Sequence, residues 1–375
     1  MVARREIRIG GDGYGDPTGS VDATDGIRRA DAAAARHDCD LVVDGTFRVH
    51  CPPPWLGEPR MRAAVQFTAP RVIGERGNAR VFLDDDQAPG APGDVLAAVA
   101  FAQHRDGFVI RDVTFDARAA HQPAGFVAHA LRLQRCRDSD VTAIVKNAPG
   151  NTTKGHGETF HFQDLGGEGG RFSIEAISDD GGPTATGIVV QMRAPDARPW
   201  LLHDWHAEGM RGQAVGTFQG GIGAIGPGVA RNCGGAGVNI EAGPKGTSAI
   251  TVGDLRDERA TVAVVACDRA VTVNGNAPRG ARQVGPVDVS GLVATDCGRG
   301  VWLVNEPCGP VRLDRVSIVR PRVAAIDLGG GELAAERAGL LTVGRSRVEL
   351  DRSSGAVAIK GGPAPSHWAL DVVSE

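Results

Sequence analysis

A short pattern recurs along the chain. It consists of an apolar residue, a residue of any kind, a second apolar residue, and then an amide or an acid. Copies lie at residues 131–134 (LRLQ), 160–163 (FHFQ), 188–191 (IVVQ), 216–219 (GTFQ), 238–241 (VNIE) and 271–274 (VTVN), with a weaker one at 301–304 (VWLV). Apolar residues at alternate positions indicate β-strands. Successive copies are 22 to 33 residues apart, which is too irregular for a strict repeat and suits the coils of a parallel β-helix.

Glycine-rich turns and second strands complete each predicted coil. The turn at 232–237 (NCGGAG) precedes the copy at 238–241, and an alternating strand at 172–177 (FSIEAI) lies between two copies. No long helical pattern interrupts this arrangement from about residue 100 onward, which disfavours a doubly wound α/β sheet. The sequence therefore predicts an all-β fold, a right-handed parallel β-helix solenoid.

Successive side chains of a strand point to opposite faces, so each side chain of a copy is predicted to face either the inside or the outside of the solenoid. The first and third residues are predicted to stack inward, and the second and fourth to face outward on strands about 4.8 Å apart. The outward amides and acids then form one column, which consists of Gln134, Gln163, Gln191, Gln219, Glu241 and Asn274. A second column beside it consists of Arg132, His161, Val189, Thr217, Asn239, Thr272 and Trp302. Two interpretations stay open for the first column: amides that bond one another along the stack, and a surface that binds a hydroxylated ligand.

The N-terminal segment is the part of the chain that looks helical. Thr24 is a suitable N-cap for a helix over residues 25–37, in which Ile27, Ala30 and Ala34 share one face. A solenoid needs its open end covered, and this helix is predicted to cover it. We therefore expect a cap over residues 1–50 and one continuous solenoid over residues 51–375.

Residues 13–27 (GYGDPTGSVDATDGI), the alanine-rich helix and residues 41–49 (LVVDGTFRV) together resemble a known opening. They are similar to the start of proteins of the pectate lyase-like superfamily, in which a Gly/Asp/Thr-rich turn and a capping helix lead into the β-helix. The resemblance implies the fold; members hydrolyse glycosidic bonds, cleave or epimerise uronates, or only bind, so it leaves the reaction open.

Two further fragments, Asp179-Asp180 and Gly155-His156-Gly157, resemble the polygalacturonase signature. The order of the two fragments is reversed relative to that family, and its basic R-I-K element is absent. The hydrolase mechanism of that family is therefore not transferred to this chain.

Composition narrows the function classes. A formal net charge of -4 argues against a nucleic-acid or membrane-surface partner, and no apolar run is long enough to span a membrane. The first residues lack the apolar segment of a secretory signal, so we expect a cytosolic location. The seven cysteines show no C-x-x-C pair and are expected to be reduced and buried. No nucleotide or phosphate motif is present, and neither a metal nor a cofactor is predicted, although His203 and His206 have a spacing compatible with a metal.

Candidate catalytic residues concentrate on neighbouring predicted coils, where they would come within about 5–10 Å of one another. The acid–base candidates are Lys154, His156, Glu158, His161, Asp180 and His206. The substrate-binding candidates are Arg132, Gln134, Gln163, Gln191, Arg211, Gln219, Asn239 and Glu241. This combination suits proton abstraction next to a carbonyl or carboxylate, because it provides a base, an acid and a group that stabilises the developing anion.

Three hypotheses for function follow. The first is an enzyme doing acid–base chemistry of lyase, epimerase or hydrolase type on a carbohydrate-like, polyhydroxylated or carboxylated substrate. The second is a cytosolic isomerase or cyclase of a small metabolite, favoured by the low aromatic content of 5%. The third is a non-catalytic, sugar-binding or tailspike-like solenoid. The partner is accordingly a saccharide or a small molecule, and the oligomeric state is not predicted.

Overall fold

The structure, a computed structural model of the chain, describes residues 5–52, 61–75, 77–87, 96–150, 157–164, 169–192, 198–218, 221–241, 248–253, 261–275, 285–305, 309–330 and 332–374. The chain forms two compact units, the first from Met1–Gln163 with Gly170–Ile188 and the second from Asp164–Gly169 with Val189–Glu375. Among the described residues, no helix has the length and apolar character needed to cross a membrane.

The first unit contains one α-helix, α1 (Thr24–Arg36), and a short 3-10 helix at Ala119–His121. Its strands are β1 (Glu6–Arg8), β2 (Asp40–Val43), β3 (Thr46–Val49), β4 (Met61–Phe67), β5 (Arg71–Gly74), β6 (Arg80–Leu83), β7 (Leu96–Gln103), β8 (Val109–Asp116), β9 (Ala128–Gln134), β10 (Ser139–Lys146), β11 (Glu158–Asp164) and β12 (Gly170–Ile177). β13 (Thr186–Met192) contains the boundary at Ile188.

The strands of the first unit pair in parallel, coil upon coil. One series runs β1, β2, β5, β8, β10 and β12, and β3 and β6 join it at β8. A second series runs β4, β7, β9 and β11. Phe160 and Phe162 of β11 point into the core against Phe172 of β12, with ring centroids 5.3 and 4.7 Å apart.

The second unit contains the helix α2 (Glu332–Leu340). Its strands are β14 (Trp200–Leu202), β15 (Trp205–Glu208), β16 (Val215–Phe218), β17 (Gly221–Ile225), β18 (Gly228–Arg231), β19 (Ala236–Glu241), β20 (Ser248–Val252), β21 (Val262–Val265), β22 (Arg269–Asn274), β23 (Val287–Ser290), β24 (Leu292–Thr295), β25 (Arg299–Val304), β26 (Val311–Asp314), β27 (Ser317–Val319), β28 (Ala324–Asp327), β29 (Leu341–Val343), β30 (Ser346–Leu350), β31 (Val357–Lys360) and β32 (Leu370–Ser374).

Each coil of the second unit contributes one strand to each of three parallel series. The first series is β14, β17, β20, β23, β26 and β29, and the second is β15, β18, β21, β24, β27, β30 and β32. The third is β16, β19, β22, β25, β28 and β31. The described strands of these series pair in parallel and stack, which confirms the predicted right-handed parallel β-helix. Whether residues 51–375 form one continuous solenoid stays a prediction.

The N-terminal helix is present, but Thr24 is not its cap. The cap position is Ala23, and the Asp22 carboxylate accepts the backbone N–H of Thr24 at 3.0 Å. The Thr24 hydroxyl instead accepts the backbone N–H of His50 at 2.7 Å, which ties the helix to the end of β3. Ile27, Ala30 and Ala34 are fully buried, as the predicted face requires.

The predicted stacking is confirmed for the copies at 131–134 and 160–163, and for those at 238–241, 271–274 and 301–304. Gln134 stands opposite Gln163, and Glu241 stands opposite Asn274. The copy at 216–219 was placed one residue too late, because Phe218 stands opposite Glu241 and Thr217 stands opposite Ile240. The error arises at Gly216, which was counted as the first apolar residue although Val215 holds that position. A glycine has no side chain and so does not define which face of a strand is apolar.

The described cysteines are buried, as predicted, and none of them is bridged; they are Cys39, Cys51, Cys136, Cys233, Cys267 and Cys297.

Candidate functional site

Three ionisable side chains meet inside the first unit. His129 belongs to β9, whereas Glu158 and His161 belong to β11, which pairs with β9 so that His161 stands opposite Arg132. The exposed fractions of these three residues are 0, 4 and 8%. One ligand atom from each residue, a ring nitrogen or a carboxylate oxygen, lies within 4.8 Å of the other two. We refer to His129, Glu158 and His161 as the His–Glu–His cluster.

The Glu158 carboxylate is the centre of the cluster. Its Oε2 lies 2.9 Å from Nδ1 of His129 and 3.6 Å from Nδ1 of His161. The two imidazole rings meet edge to face, with centroids 5.1 Å apart and an angle of 78° between their planes. One carboxylate oxygen thus lies beside both imidazoles, where its negative charge favours a proton on either ring.

Arg132 fixes the tautomer of His129. Its Nη1 lies 3.1 Å from Nε2 of His129, and its Nη2 donates to Oε1 of Gln163. A guanidinium can only donate, so Nε2 of His129 accepts and Nδ1 carries the proton, which is donated to the backbone carbonyl of Glu158 at 3.3 Å. Arg132, His129 and Glu158 therefore form a hydrogen-bonded chain that ends at this carbonyl, and the carboxylate of Glu158 lies 2.9 Å from the same Nδ1 atom.

Burial sets the charge of each group in the cluster. Burial lowers the pKa of His129, and it lowers the pKa of His161 to about 4, with the positive charge of Arg132 acting in the same direction. Burial alone would raise the pKa of Glu158, but the contacts with His129 and His161 outweigh it and hold that pKa well below its usual range. At neutral pH the cluster consists of a carboxylate, two neutral imidazoles and the adjacent Arg132 guanidinium.

These pKa shifts predict that acid destabilises the first unit. Unfolded His161 takes up a proton near pH 6.5, whereas the folded residue does so only near pH 4. Between these values the unfolded state binds more protons, so the free energy of unfolding falls with decreasing pH, by about 3 kcal/mol from this group. Urea unfolding at a series of pH values from neutral to acid measures the slope. His161→Asn should flatten it and His203→Asn should not; equal slopes in all three proteins would contradict the assignment.

Two imidazoles and a carboxylate are also a ligand set that Zn²⁺ or Fe²⁺ accepts. Here the nitrogens nearest the carboxylate are both Nδ1 atoms. While Arg132 donates to Nε2 of His129, the Nδ1 atom carries a proton and cannot bind a metal. The guanidinium charge also repels a cation. The hydrogen-bond arrangement therefore favours proton transfer over metal binding.

The backbone at the start of β11 holds Glu158 in place. Gly157, directly before it, has a φ of +104°, and a Cβ there would lie 2.2 Å from the Cα of Gly150. The Thr159 hydroxyl, directly after it, donates to the carbonyl of Gly187 at 2.7 Å. Glycine is therefore required at position 157, and the carboxylate is anchored from both sides.

The structure brings together some of the predicted residues. Glu158, His161, Arg132 and Gln163 are in the cluster or bonded to it, and Gln134 stands opposite Gln163. We predicted that these side chains would face outward, but Arg132, Gln134, His161 and Gln163 are all buried. Within the described part of the chain, Oε1 of Gln134 has no hydrogen-bond donor.

The other predicted residues that the structure describes do not join the cluster. The Asp180 carboxylate accepts the backbone N–H groups of Ala120 and Gly182, at 2.9 and 2.8 Å, so it organises turns. His206 and Arg211 belong to the second unit, where His206 lies 3.3 Å from Glu208. Asn239 and Glu241 also belong to that unit and bond each other at 3.4 Å. Gln191 lies at the end of β13 and is half-buried. Lys154, His156 and Gln219 lie outside the described residues. The roles of all these residues stay predictions.

His129 was not predicted. Every residue of β9 is buried, whichever its parity, so the alternation of the strand gave no signal for His129. A polar residue buried in a strand needs a hydrogen-bond partner inside the protein. Glu158 and Arg132 are those partners.

Comparisons with known proteins agree with the fold. No protein-family model matches the sequence, and no curated protein matches it. Among solved structures, the A-module of the Azotobacter vinelandii mannuronan C-5 epimerase AlgE4 is similar with a TM-score of 0.62, at 13% identity over 99% of both chains. The AlgE6 A-module from the same organism has a TM-score of 0.53, at 11% identity over 98% of this chain and 99% of the other.

A third structure is the pre-mature gene product 12 of bacteriophage phi29, with a TM-score of 0.59 at 12% identity, over 95% of this chain and 50% of the phage chain. Identities this low establish the fold and leave the reaction open. The chain has the parallel β-helix fold, as its N-terminal segment indicated.

Proposed function

We propose that this protein is an enzyme that moves a proton on a carbohydrate-like, polyhydroxylated or carboxylated substrate, and that the His–Glu–His cluster is its proton-transfer site. The observation that supports this most directly is the buried carboxylate of Glu158 between two imidazoles, with Arg132 bonded to one of them. Buried groups with strongly shifted pKa values and specific charged partners are typical of catalytic sites.

The cluster suits proton abstraction better than glycoside hydrolysis. Hydrolysis of a glycosidic bond uses two carboxyl groups about 5–9.5 Å apart. The His–Glu–His cluster contains one carboxylate, and its other members are bases or a cation. A lyase or an epimerase needs a base to remove a proton next to a carboxylate, and a positive charge to stabilise the resulting anion.

Each residue then has a defined role. His161 is the most exposed member of the cluster and accepts the proton from the substrate. Glu158 stabilises the imidazolium that forms, because its Oε2 lies 3.6 Å from Nδ1 of His161. His129 and Arg132 keep Glu158 ionised and oriented. Oε1 of Gln134, which lacks a donor among the described residues, accepts a substrate hydroxyl.

The deciding experiment follows hydrogen exchange into a uronate in D₂O. An epimerase removes the proton next to the carboxylate and returns one from solvent, so deuterium appears at that carbon. A lyase removes the same proton but leaves a C=C bond there, so it forms an unsaturated product with ultraviolet absorbance. The panel contains polymeric mannuronate, polymeric galacturonate and the corresponding monomers. His161→Ala should abolish whichever signal the parent protein gives, while His206→Ala, in the second unit, should retain it. New reducing ends without exchange and without ultraviolet absorbance would show a hydrolase, and no change in any substrate would show a binder.

One observation favours the second hypothesis, a small-metabolite isomerase or cyclase acting in the cytosol. The cluster is at most 8% exposed, whereas a polymer requires an open groove. The same panel separates the two, because exchange into monomers alone would indicate a metabolite enzyme, and exchange into polymers would contradict this second hypothesis.

A further inference from the structure

A groove of about 720 Å³ lies in the second unit, where three successive coils meet at one corner. Its walls are formed by residues 315–317 between β26 and β27, by residues 345–347 at the start of β30 and by residues 368–371 at the start of β32. Three arginines, Arg315, Arg345 and Arg347, line this groove together with Ser317 and Asp371.

The stacking of the coils places the arginines close together. The backbone N–H of Arg315 donates to the carbonyl of Arg345 at 2.8 Å, so the two residues are neighbours on adjacent coils. In the same way Ser317 stands opposite Arg347, which stands opposite Asp371. Adjacent strands are about 4.8 Å apart, and like charges at such a spacing repel unless an anion lies between them.

Two of the three guanidinium groups have an acid beside them. Arg347 pairs with Glu349 at 2.8 Å, and Arg315 lies 3.7 Å from Asp314 and donates to the Ser290 hydroxyl at 2.7 Å. A third acid, Asp371, lines the groove opposite Arg347. The Arg345 side chain is exposed, lines the groove and has no hydrogen-bond or ion-pair partner in the described ranges of the chain, so its donors are available to a ligand.

Trp368 gives the groove a rigid wall. Its indole N–H donates to the carbonyl of Leu341 at 3.0 Å, and the side chain is only 8% exposed. The groove thus combines a fixed apolar surface with guanidinium groups and the Ser317 hydroxyl. A planar guanidinium binds two oxygens of a carboxylate, sulfate or phosphate group at once, and arginine is preferred for such sites.

We propose that this groove is a binding site for an oxyanion, a carboxylate, sulfate or phosphate group, and that Arg345 is its principal ligand. The site is independent of the His–Glu–His cluster, which belongs to the first unit.

Isothermal titration of the full chain with three probes, inorganic sulfate, inorganic phosphate and sodium galacturonate, tests the proposal and distinguishes the sources of the oxyanion. Arg345→Ala should weaken binding of the preferred probe about 10- to 100-fold, as loss of a charge-assisted hydrogen bond does. Arg345→Lys keeps the positive charge but loses the planar guanidinium that donates two hydrogen bonds to one group, so it should give an intermediate affinity.

Arg171→Ala is the matched control, because Arg171 is an equally exposed arginine of the first unit and its loss changes the net charge by the same amount. We expect the affinity of this variant to stay within about twofold of the parent, since Arg171 does not line the groove and exposed charges are screened by salt. Equal weakening in Arg345→Ala and Arg171→Ala, or no binding of any probe by the parent protein, would overturn the proposal. Circular dichroism of each variant verifies that the fold is intact.

Discussion

Glu158→Gln is expected to slow deuterium exchange into the substrate about 10²–10⁴-fold, the usual contribution of an acid–base group. The amide has nearly the same shape, and the hydrogen bond of His129 Nδ1 goes to the backbone carbonyl of residue 158, so the fold should persist. It carries no charge, so it cannot stabilise an imidazolium at His161, 3.6 Å away from the carboxylate oxygen. The exchange rate and the thermal midpoint, measured on the same preparation, separate chemistry from stability.

A second measurement, the pKa of His161, shows whether the missing charge of Glu158 is the cause of the slower exchange. The charge of Glu158 raises the pKa of His161, so Glu158→Gln should move that pKa further below about 4, as followed by the imidazole resonances in a pH titration. Glu175→Gln is the matched control, since Glu175 lies on β12 of the same unit, away from the cluster. If Glu158→Gln exchanged as fast as the parent protein, proton transfer would have to take place elsewhere.

Gly157→Ala is expected to have the largest effect on stability. The backbone at this position has a φ of +104°, and the added Cβ would lie 2.2 Å from the Cα of Gly150 and 2.7 Å from the carbonyl oxygen of Pro149. Backbone strain and overpacking together should lower the free energy of unfolding by about 2–6 kcal/mol. Because Glu158 is the next residue, hydrogen exchange into substrate should fall as well. Urea unfolding and the exchange assay measure the two effects.

Gly125→Ala is the control for this prediction. Gly125 also has a positive φ, +84°, but a Cβ there meets nothing within 4 Å. This variant should show only the smaller cost of a left-handed conformation, about 1–2 kcal/mol, and should keep its activity. A Gly157→Ala protein as stable as Gly125→Ala would mean that the backbone before Glu158 is not tightly held.

The fold could be predicted from local patterns, because a β-helix repeats the same local requirement in every coil. Alternating apolar residues separated by glycine-rich turns indicate stacked strands, and the opposition of Gln134 and Gln163 confirms the register. The prediction failed at Gly216, where the missing side chain removed the pattern and Phe218 took the position assigned to Gln219. It also failed for the exposure of Arg132, whose hydrogen bonds to His129 and Gln163 hold it inside the protein.

The sequence by itself determined that strands form, which residues alternate and that Glu158 and His161 lie three residues apart on one strand. Only the tertiary structure decided that His129, 29 residues earlier in the chain, meets Glu158. That contact depends on the register between β9 and β11, which is set by the sum of many core contacts along both strands. The protonation states also follow from tertiary structure alone, because a pKa depends on burial and on neighbouring charges, and a linear sequence specifies neither.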